Sequence, residues 1–287
     1  MNTTLPASTT RRLQDALAAI GLAKVPLIAI AIALLTACAT GPTHTARAPL
    51  PDEPHLTVMT FNVNYGRAHD PLTIAAVGAG DADIILLQET TPAWEENLRE
   101  AFSEQYPHIA FHHDGGAGGL AVLSRYPLEH EIYPATDGWF PAMNLVAETP
   151  IGRVQCMSVH LHPPVSESGS VVSGYFSTGS VRRKEMQGYA ARLDEALPTI
   201  VVGDFNEGEG DAINQMRDRG FALAVPMFQG EGVPTWRWNT SVGEVTSTLD
   251  HVMFKGIDAI DARVLNAGRS DHLPILVTFV RKADSDL

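Results

Sequence analysis

Short apolar runs separated by polar turns recur along the chain from residue 55 onward. Their lengths suit β-strands, and we predict strands at 56–63, 83–87, 119–124, 143–147, 153–161, 199–202, 249–254 and 274–280. Apolar residues at helical spacing, followed by stop signals, predict helices at 71–78, 92–102, 180–197 and 210–219. Several strands follow one another directly, which favours stacked sheets covered by helices over a doubly wound sheet.

The first 37 residues have the pattern of a secretory signal. Basic residues at 11, 12 and 24 precede an apolar run at 25–35, whereas a membrane-spanning helix needs about 20 apolar residues. The run leads into Leu35-Thr36-Ala37-Cys38, which resembles a bacterial lipobox, whose cysteine is lipidated and becomes the first mature residue. We therefore expect lipidation of Cys38. The alternatives are an ordinary cleaved signal and a simple transmembrane anchor.

Residues 39–54 are rich in Pro, Thr and Ala and have no hydrophobic period, which is typical of a flexible linker. We predict a signal peptide at 1–37, a lipidated cysteine and linker at 38–54, one catalytic domain at 55–282 and a tail at 283–287. The expected location is the bacterial cell envelope, at the outer membrane or periplasmic face in a Gram-negative cell, with secretion as the alternative. No obligate protein partner is implied.

Composition and charge limit the function. The chain is 45% hydrophobic and 18% charged, as expected for a folded globular protein. Its net charge is −13 and becomes −15 without residues 1–37, because that segment holds three basic residues and one acidic residue. Since nucleic-acid binders usually carry a basic field, this lowers the expectation of a nucleic-acid substrate without excluding it. Of the two cysteines, Cys156 is predicted to be a buried, inert thiol.

The ends of six apolar runs carry residue types that bind metals or transfer protons. These residues are Asn62, Glu89, His160, Asp204 with Asn206, Asp250, and Asp271 with His272. A single polar residue at a strand end means little, but six such ends in one chain predict a shared site at an edge of the sheets.

The same residues lie in an ordered series of short motifs. The motifs are Phe61-Asn62-Val63-Asn64, Leu87-Gln88-Glu89-Thr90, Ser158-Val159-His160-Leu161, Gly203-Asp204-Phe205-Asn206, Thr248-Leu249-Asp250-His251-Val252 and Ser270-Asp271-His272-Leu273-Pro274. The series resembles the endonuclease/exonuclease/phosphatase superfamily, which includes DNase I. The resemblance implies an α+β fold, a four-layer αββα sandwich of two stacked mixed β-sheets flanked by helices. It also implies hydrolysis of a phosphate ester with Mg²⁺ or Mn²⁺ at one edge of the sheets.

The residue types agree with this chemistry. Carboxylate and amide oxygens without a thiolate cluster suit a hard cation, so we predict Glu89 as the principal metal ligand, with Asn62 and Asp271 as further metal-site residues.

The remaining five residues of the series are predicted to be catalytic. Asp204 is placed to orient or deprotonate the attacking water, and Asp250 to hold His272. His160 is the candidate for protonating the leaving oxygen, and Asn206 for stabilising the charged phosphoryl group. Whether His272 or Asp204 is the general base stays open.

Three more residues are weaker candidates for substrate binding. Arg182 and Arg183 open a predicted helix and could bind phosphate, or form a solvated helix end. His162 shares a strand face with His160.

These observations predict a divalent-metal-dependent phosphoesterase, either a phosphodiesterase of nuclease type or a phosphatase. Its substrate could be a nucleic acid, a phospholipid head group or a soluble phosphoester. The alternative is a catalytically silent envelope lipoprotein that binds a phosphorylated ligand or a protein on the same scaffold.

Overall fold

The computed structural model describes residues 41–135, 138–164, 178–241 and 243–282. Cys38 and the predicted signal peptide lie outside this range, so their assignment stays a prediction. In the part of the chain that is described, no helix combines the length and the apolar character needed to cross a membrane.

Fourteen strands and five α-helices make up the described fold. The strands are β1 (His55–Asn62), β2 (Ile84–Gln88), β3 (His108–His112), β4 (Leu120–Ser124), β5 (Leu128–Tyr133), β6 (Ala142–Thr149), β7 (Gly152–His160), β8 (Thr199–Asp204), β9 (Ala222–Leu223), β10 (Trp236–Thr240), β11 (Gly243–Ser247), β12 (Asp250–Lys255), β13 (Ile257–Val264) and β14 (Ile275–Arg281). The helices are α1 (Pro71–Val77), α2 (Pro92–Phe102), α3 (Gly179–Ala190), α4 (Asp211–Asp218) and α5 (Ala224–Gln229).

Twelve of these strands form two six-stranded sheets. The first has the order β13-β14-β1-β2-β4-β3 and the second the order β5-β6-β7-β8-β12-β9. Each sheet is mixed, because β1 and β2 run parallel in the first and β7 and β8 run parallel in the second. Strands β10 and β11 form a separate hairpin.

Strand alternation divides the apolar side chains among three buried layers. In β1, Leu56 and Val58 belong to the core between the sheets, whereas Met59 and Phe61 face α1 and α2. A third core packs the outer face of the second sheet against α3 and α4, with Met186 as one member. Three cores between four layers confirm the predicted αββα sandwich.

Local capping explains where the first two helices begin. Asp70 accepts a hydrogen bond from the Leu72 backbone N–H, and Thr91 accepts one from Trp94. A proline follows each of these N-cap residues. Proline suits the first helical position because its fixed φ angle is helical. The N–H that proline lacks would have no hydrogen-bond partner within the helix at that position.

Several boundaries differ from the predictions. The helix predicted at 180–197 ends at Ala190, and the chain then turns at Asp194, whose side chain accepts from the Ala196 N–H. Strands β3, β5, β9, β10, β11 and β13 and helix α5 were not predicted. The strands are partly exposed, so their sequences lack the apolar runs that marked the buried strands.

The described part of the predicted linker lies against the domain. The backbone N–H groups of Thr43 and His44 donate to the Met227 carbonyl, and that of Arg47 donates to the Ile260 carbonyl. Arg47 also forms a two-pronged ion pair with Glu53, at 2.7 and 2.8 Å. The composition of this segment predicted a flexible linker, whereas its described part is hydrogen-bonded to the domain. Backbone hydrogen bonds to distant residues cannot be deduced from composition.

Candidate active site

The predicted site residues meet at one edge of the two sheets. Strand β1 ends at Asn62, β7 ends at His160, and β8 ends at Asp204. Strand β12 begins at Asp250, directly opposite Asp204 in an antiparallel pair. Strand β1 is parallel to β2, β7 is parallel to β8, and β12 is antiparallel to β8. The polar strand ends therefore lie at the same edge, as the sequence predicted.

Tight backbone geometry holds the end of β8 against β7. Gly203 has a φ of +132°, and a Cβ at this position would lie 2.0 Å from the Val159 carbonyl oxygen, so only glycine fits. Glu89 and Asn206 also have positive φ angles, 62° and 52°. Such conformations cost stability in residues other than glycine and persist where the surrounding structure enforces them.

The carboxylate of Asp204 is the centre of the site. Its Oδ2 accepts from Asn62 Nδ2 at 3.1 Å and lies 3.5 Å from Nε2 of both His160 and His272. Its Oδ1 accepts from the Asn206 backbone N–H at 2.8 Å. Asp204 is almost fully buried, so these contacts fix its orientation between the two imidazoles.

His272 is held by Asp250, as predicted. Its Nδ1 lies 3.0 and 2.9 Å from the two Asp250 oxygens. Thr235 is fully buried; its hydroxyl donates to Asp250 Oδ2 at 2.7 Å and accepts from the N–H groups of Leu249 and Asp250. Because a carboxylate accepts hydrogen bonds, Nδ1 carries the proton and Nε2 faces Asp204.

Burial and charge act in opposite directions on this pair. Burial opposes charge on both groups, so it raises the pKa of Asp250. At His272 burial acts to lower the pKa, but the attraction of Asp250 and Asp204 outweighs it and raises the pKa of the imidazole. The arrangement therefore favours an imidazolium beside carboxylates.

His160 is positioned from both sides. Its Nδ1 lies 3.1 Å from the Ala117 carbonyl oxygen, which requires a proton on Nδ1. Its ring stacks on Phe140 at a centroid distance of 4.3 Å. The other ring nitrogen, Nε2, is therefore the one that can exchange a proton near Asp204.

Glu89 lies beside this group on the first sheet. It is half-buried, its Oε1 accepts from Asn62 Nδ2 at 3.1 Å, and its Oε2 accepts from the Tyr65 N–H at 3.1 Å. Asn62 lies between two carboxylates: its Nδ2 donates to Glu89 and to Asp204, and its Oδ1 accepts from the Asn64 N–H. Asn62 thus positions both carboxylates, and its assignment to the metal site stays a prediction.

Asp271 is fixed by two side chains. Asn64 Nδ2 donates to its Oδ1 at 2.8 Å, and Trp236 Nε1 donates to its Oδ2 at 3.1 Å. Burial alone would raise the pKa of Asp271, but these hydrogen bonds and the charge of His272 outweigh it and lower the pKa. The loop at 62–65 thus links two ionisable carboxylates, Glu89 and Asp271.

The donor set fits a divalent cation. The site holds the carboxylates of Glu89, Asp204, Asp250 and Asp271, and among the described residues none of them forms an ion pair with Lys or Arg. Carboxylate oxygens are the donor type that Mg²⁺ and Mn²⁺ prefer.

The part of the site that suits a metal is Glu89 with Asp271. Ligand atoms of Asp204, Asp250 and His272 also lie within 4.8 Å of one another. However, Asp250 and the Nδ1 of His272 bind each other, which leaves only the Asp204 carboxylate and the His272 Nε2. That group suits proton transfer better than metal binding.

The two arginines predicted as weaker substrate-binding candidates, Arg182 and Arg183, have different surroundings. Arg182 is buried and pairs with Glu207 at 2.8 Å, and it also donates to Thr178. Its prediction as a phosphate ligand is therefore wrong, because its guanidinium is already bound inside the domain. Arg183 is exposed and lies 3.9 Å from Asp211.

His162 and Asn206 are also held by the protein itself. The ring of His162 lies 4.3 Å from Trp139, and its Nδ1 lies 2.7 Å from the Pro163 carbonyl oxygen. Asn206 Nδ2 donates to the Leu161 carbonyl at 2.9 Å, which leaves one amide hydrogen for a ligand.

Sequence reasoning missed three residues that shape the site. Thr235 orients Asp250, Asn64 orients Asp271, and Phe140 stacks on His160. Asn64 lies two residues after Asn62 in the first motif, which is a signal that could have identified it. Thr235 and Phe140 lie in loops outside the motifs. Their contacts with Asp250 and His160 are visible only in the folded structure.

Comparison with known proteins identifies the family. The model of the Endonuclease/Exonuclease/phosphatase family matches residues 59–272. The chain belongs to this family. The match spans every predicted metal-site and catalytic residue, and it supports phosphoester hydrolysis as the general activity.

Individual relatives are distant. A UPF0294 protein of Vibrio vulnificus is 26% identical over 249 residues, which cover 83% of this chain and 81% of the relative. The human Nocturnin catalytic domain with bound sulfate anion shares 15% identity at a TM-score of 0.61, over 81% of this chain and 97% of that one. TDP2 of D. rerio complexed with single strand DNA product shares 16% identity at a TM-score of 0.60, over 78% and 98%. These two structures show that the fold is shared.

Proposed function

We propose that this chain is a divalent-metal-dependent phosphoesterase of the cell envelope, anchored through lipid on Cys38. The observation that supports it most is the placement of Asp204, whose Oδ2 lies 3.5 Å from Nε2 of both His160 and His272. One acceptor between two imidazoles allows a proton to be removed from water and another to be supplied to a leaving group.

The proposed step is hydrolysis by direct attack of water. The water oxygen bonds to phosphorus while its proton passes to Asp204. The bond from phosphorus to the leaving oxygen breaks, and that oxygen takes a proton from Nε2 of His160. Since Asp204 Oδ2 is near His160 Nε2, the proton then returns to His160.

The remaining groups stabilise charge on the phosphoryl oxygens. His272, as an imidazolium held by Asp250, and the free amide hydrogen of Asn206 act as donors. Glu89 and Asp271 would hold Mg²⁺ or Mn²⁺, which supplies Lewis-acid stabilisation of the same oxygens when bound. In this proposal Asp204, and not His272, acts as the general base.

Substitution at the base and its neighbour tests the mechanism. Asp204→Asn and His272→Ala should each lower hydrolysis of a generic phosphodiester by about 10²-fold or more. The controls are Asp218→Asn and His130→Ala, which change exposed residues of the same types. EDTA should abolish activity and Mg²⁺ should restore it. Wild-type rates in the Asp204→Asn variant would refute the assignment of the base.

The membrane tether needs its own experiment. Labelling with a radioactive fatty acid in a bacterial host should mark the wild-type chain and leave Cys38→Ser unlabelled. The two chains should hydrolyse substrate equally in detergent, since Cys38 takes no part in the proposed chemistry. Equal labelling of both would refute lipidation at this residue.

A further inference from the structure

Exposed apolar side chains concentrate at the active-site edge. Among the described residues, six large hydrophobic side chains are the most exposed, and we call five of them the apolar rim: Tyr65, Leu72, Trp139, Trp238 and Val245. Leu72 belongs to the rim because its neighbour Thr73 accepts a hydrogen bond from the Arg269 N–H, two residues before Asp271. The sixth, Leu50, lies in the N-terminal segment. Apolar patches exposed beside one site mark an interaction surface.

Three members of the rim adjoin different sides of the site. The backbone N–H of Tyr65 donates to Glu89. Trp139 contacts the ring of Phe140, which stacks on His160.

On the third side, Trp238 lies 6.5 Å from Trp236, whose indole N–H donates to Asp271. The rim therefore has members beside Glu89, His160 and Asp271.

The hairpin of β10 and β11 presents the most exposed part of the rim. Trp238 and Val245 are direct cross-strand partners, and they are 60% and 47% exposed. Side chains opposite each other on antiparallel strands share one face. The hairpin thus carries an apolar face that no other described element covers.

We propose that the apolar rim docks the active-site edge on a lipid surface. Trp and Tyr favour the boundary between membrane and water because they combine an apolar body with a polar group. Leu72 and Val245 add aliphatic surface, which contributes to insertion among acyl chains but cannot stack on a nucleobase. The net charge of −13 also opposes tracking of a polyanionic strand, whereas it is compatible with a zwitterionic lipid surface.

The N-terminal segment agrees with a domain held at a membrane. The backbone N–H groups of Thr43 and His44 donate to the Met227 carbonyl, and Cys38 precedes His44 by six residues, which span at most about 20 Å. If Cys38 is lipidated, as the proposed function has it, the lipid would therefore keep the domain close to a membrane surface.

Quenching of tryptophan fluorescence by brominated phosphatidylcholine vesicles tests the proposal on the full chain in EDTA. Trp139 and Trp238 are exposed, whereas Trp94 is fully buried, so quenching in the vesicle-bound fraction reports contact of the rim with acyl chains. The signal requires no hydrolysis, so its failure is distinct from failure of the proposed function.

The expected result is quenching of the wild-type chain and at least about twofold less in the double variant Leu72→Ser and Val245→Ser, because each change removes apolar surface that favours insertion. Leu50→Ser is the matched control and should behave as wild type. Absence of quenching, or equal quenching in the double variant, would overturn the proposal. A fluorescence change with a single-stranded oligonucleotide and none with vesicles would overturn it in favour of nucleic acid.

Discussion

Acid should destabilise the fold through one buried histidine, His251. This residue lies in β12 with its Nε2 2.8 Å from the Glu207 carbonyl oxygen and its ring against Phe205. Burial lowers its pKa from the ordinary value of 6.5 to about 4. The folded protein therefore keeps His251 neutral at a pH where the unfolded chain binds a proton.

The sign and size of the effect follow from proton linkage. Between pH 6.5 and 4 the unfolded state binds more protons than the folded state, so stability falls as the pH falls. The lowered pKa corresponds to about 3 kcal/mol at 1.36 kcal/mol for each pH unit. The loss should begin near pH 6.5 and be complete near pH 4.

Urea unfolding at about pH 7, 5.5 and 4.5 in EDTA measures this loss. His251→Gln is the matched variant, because glutamine retains an N–H donor for the Glu207 carbonyl but does not titrate. Subtracting its pH dependence from that of the wild type removes the contribution of all other groups. If the unfolding free energy of both proteins depended equally on pH, the assignment of the acid effect to His251 would be refuted.

Three further predictions concern other buried polar groups. Thr235→Val should cost about 2–4 kcal/mol of unfolding free energy, because it leaves the N–H groups of Leu249 and Asp250 without an acceptor. Thr235→Ser, which keeps the hydroxyl, should cost about 1 kcal/mol, and equal losses in a denaturant titration would contradict this. Arg182→Met should cost about 3–5 kcal/mol, because it leaves the Glu207 carboxylate buried without its cation; an unchanged unfolding midpoint would contradict this. The thiol of Cys156 is fully buried and its pKa is raised to about 12, so a thiol reagent should label it only after urea is added, and fast labelling of the native protein would contradict this.

The fold class and most of the site are determined by the order of residues along the chain. Buried strands are visible as apolar runs, and the runs of β1, β7 and β8 end at the active-site edge in Asn62, His160 and Asp204. Strand ends meet at an edge whatever the details of packing, so the grouping of Asp204, Asp250 and His272 follows from their positions in the sequence. The helix starts at Pro71 and Pro92 were also predictable, because capping is a local interaction.

Tertiary contacts decided how individual side chains are used. Arg182 was predicted as a phosphate ligand because sequence does not show that Glu207, 25 residues away, neutralises it inside the domain. The roles of Thr235 and Asn64 depend on hydrogen bonds over 15 and 207 residues of chain. The apolar rim is likewise a property of surface exposure, since Trp94 and Trp238 differ in burial but not in residue type. Residue type and order determine which strands form and what chemistry their ends carry, whereas long-range packing determines which of those groups remain free to act.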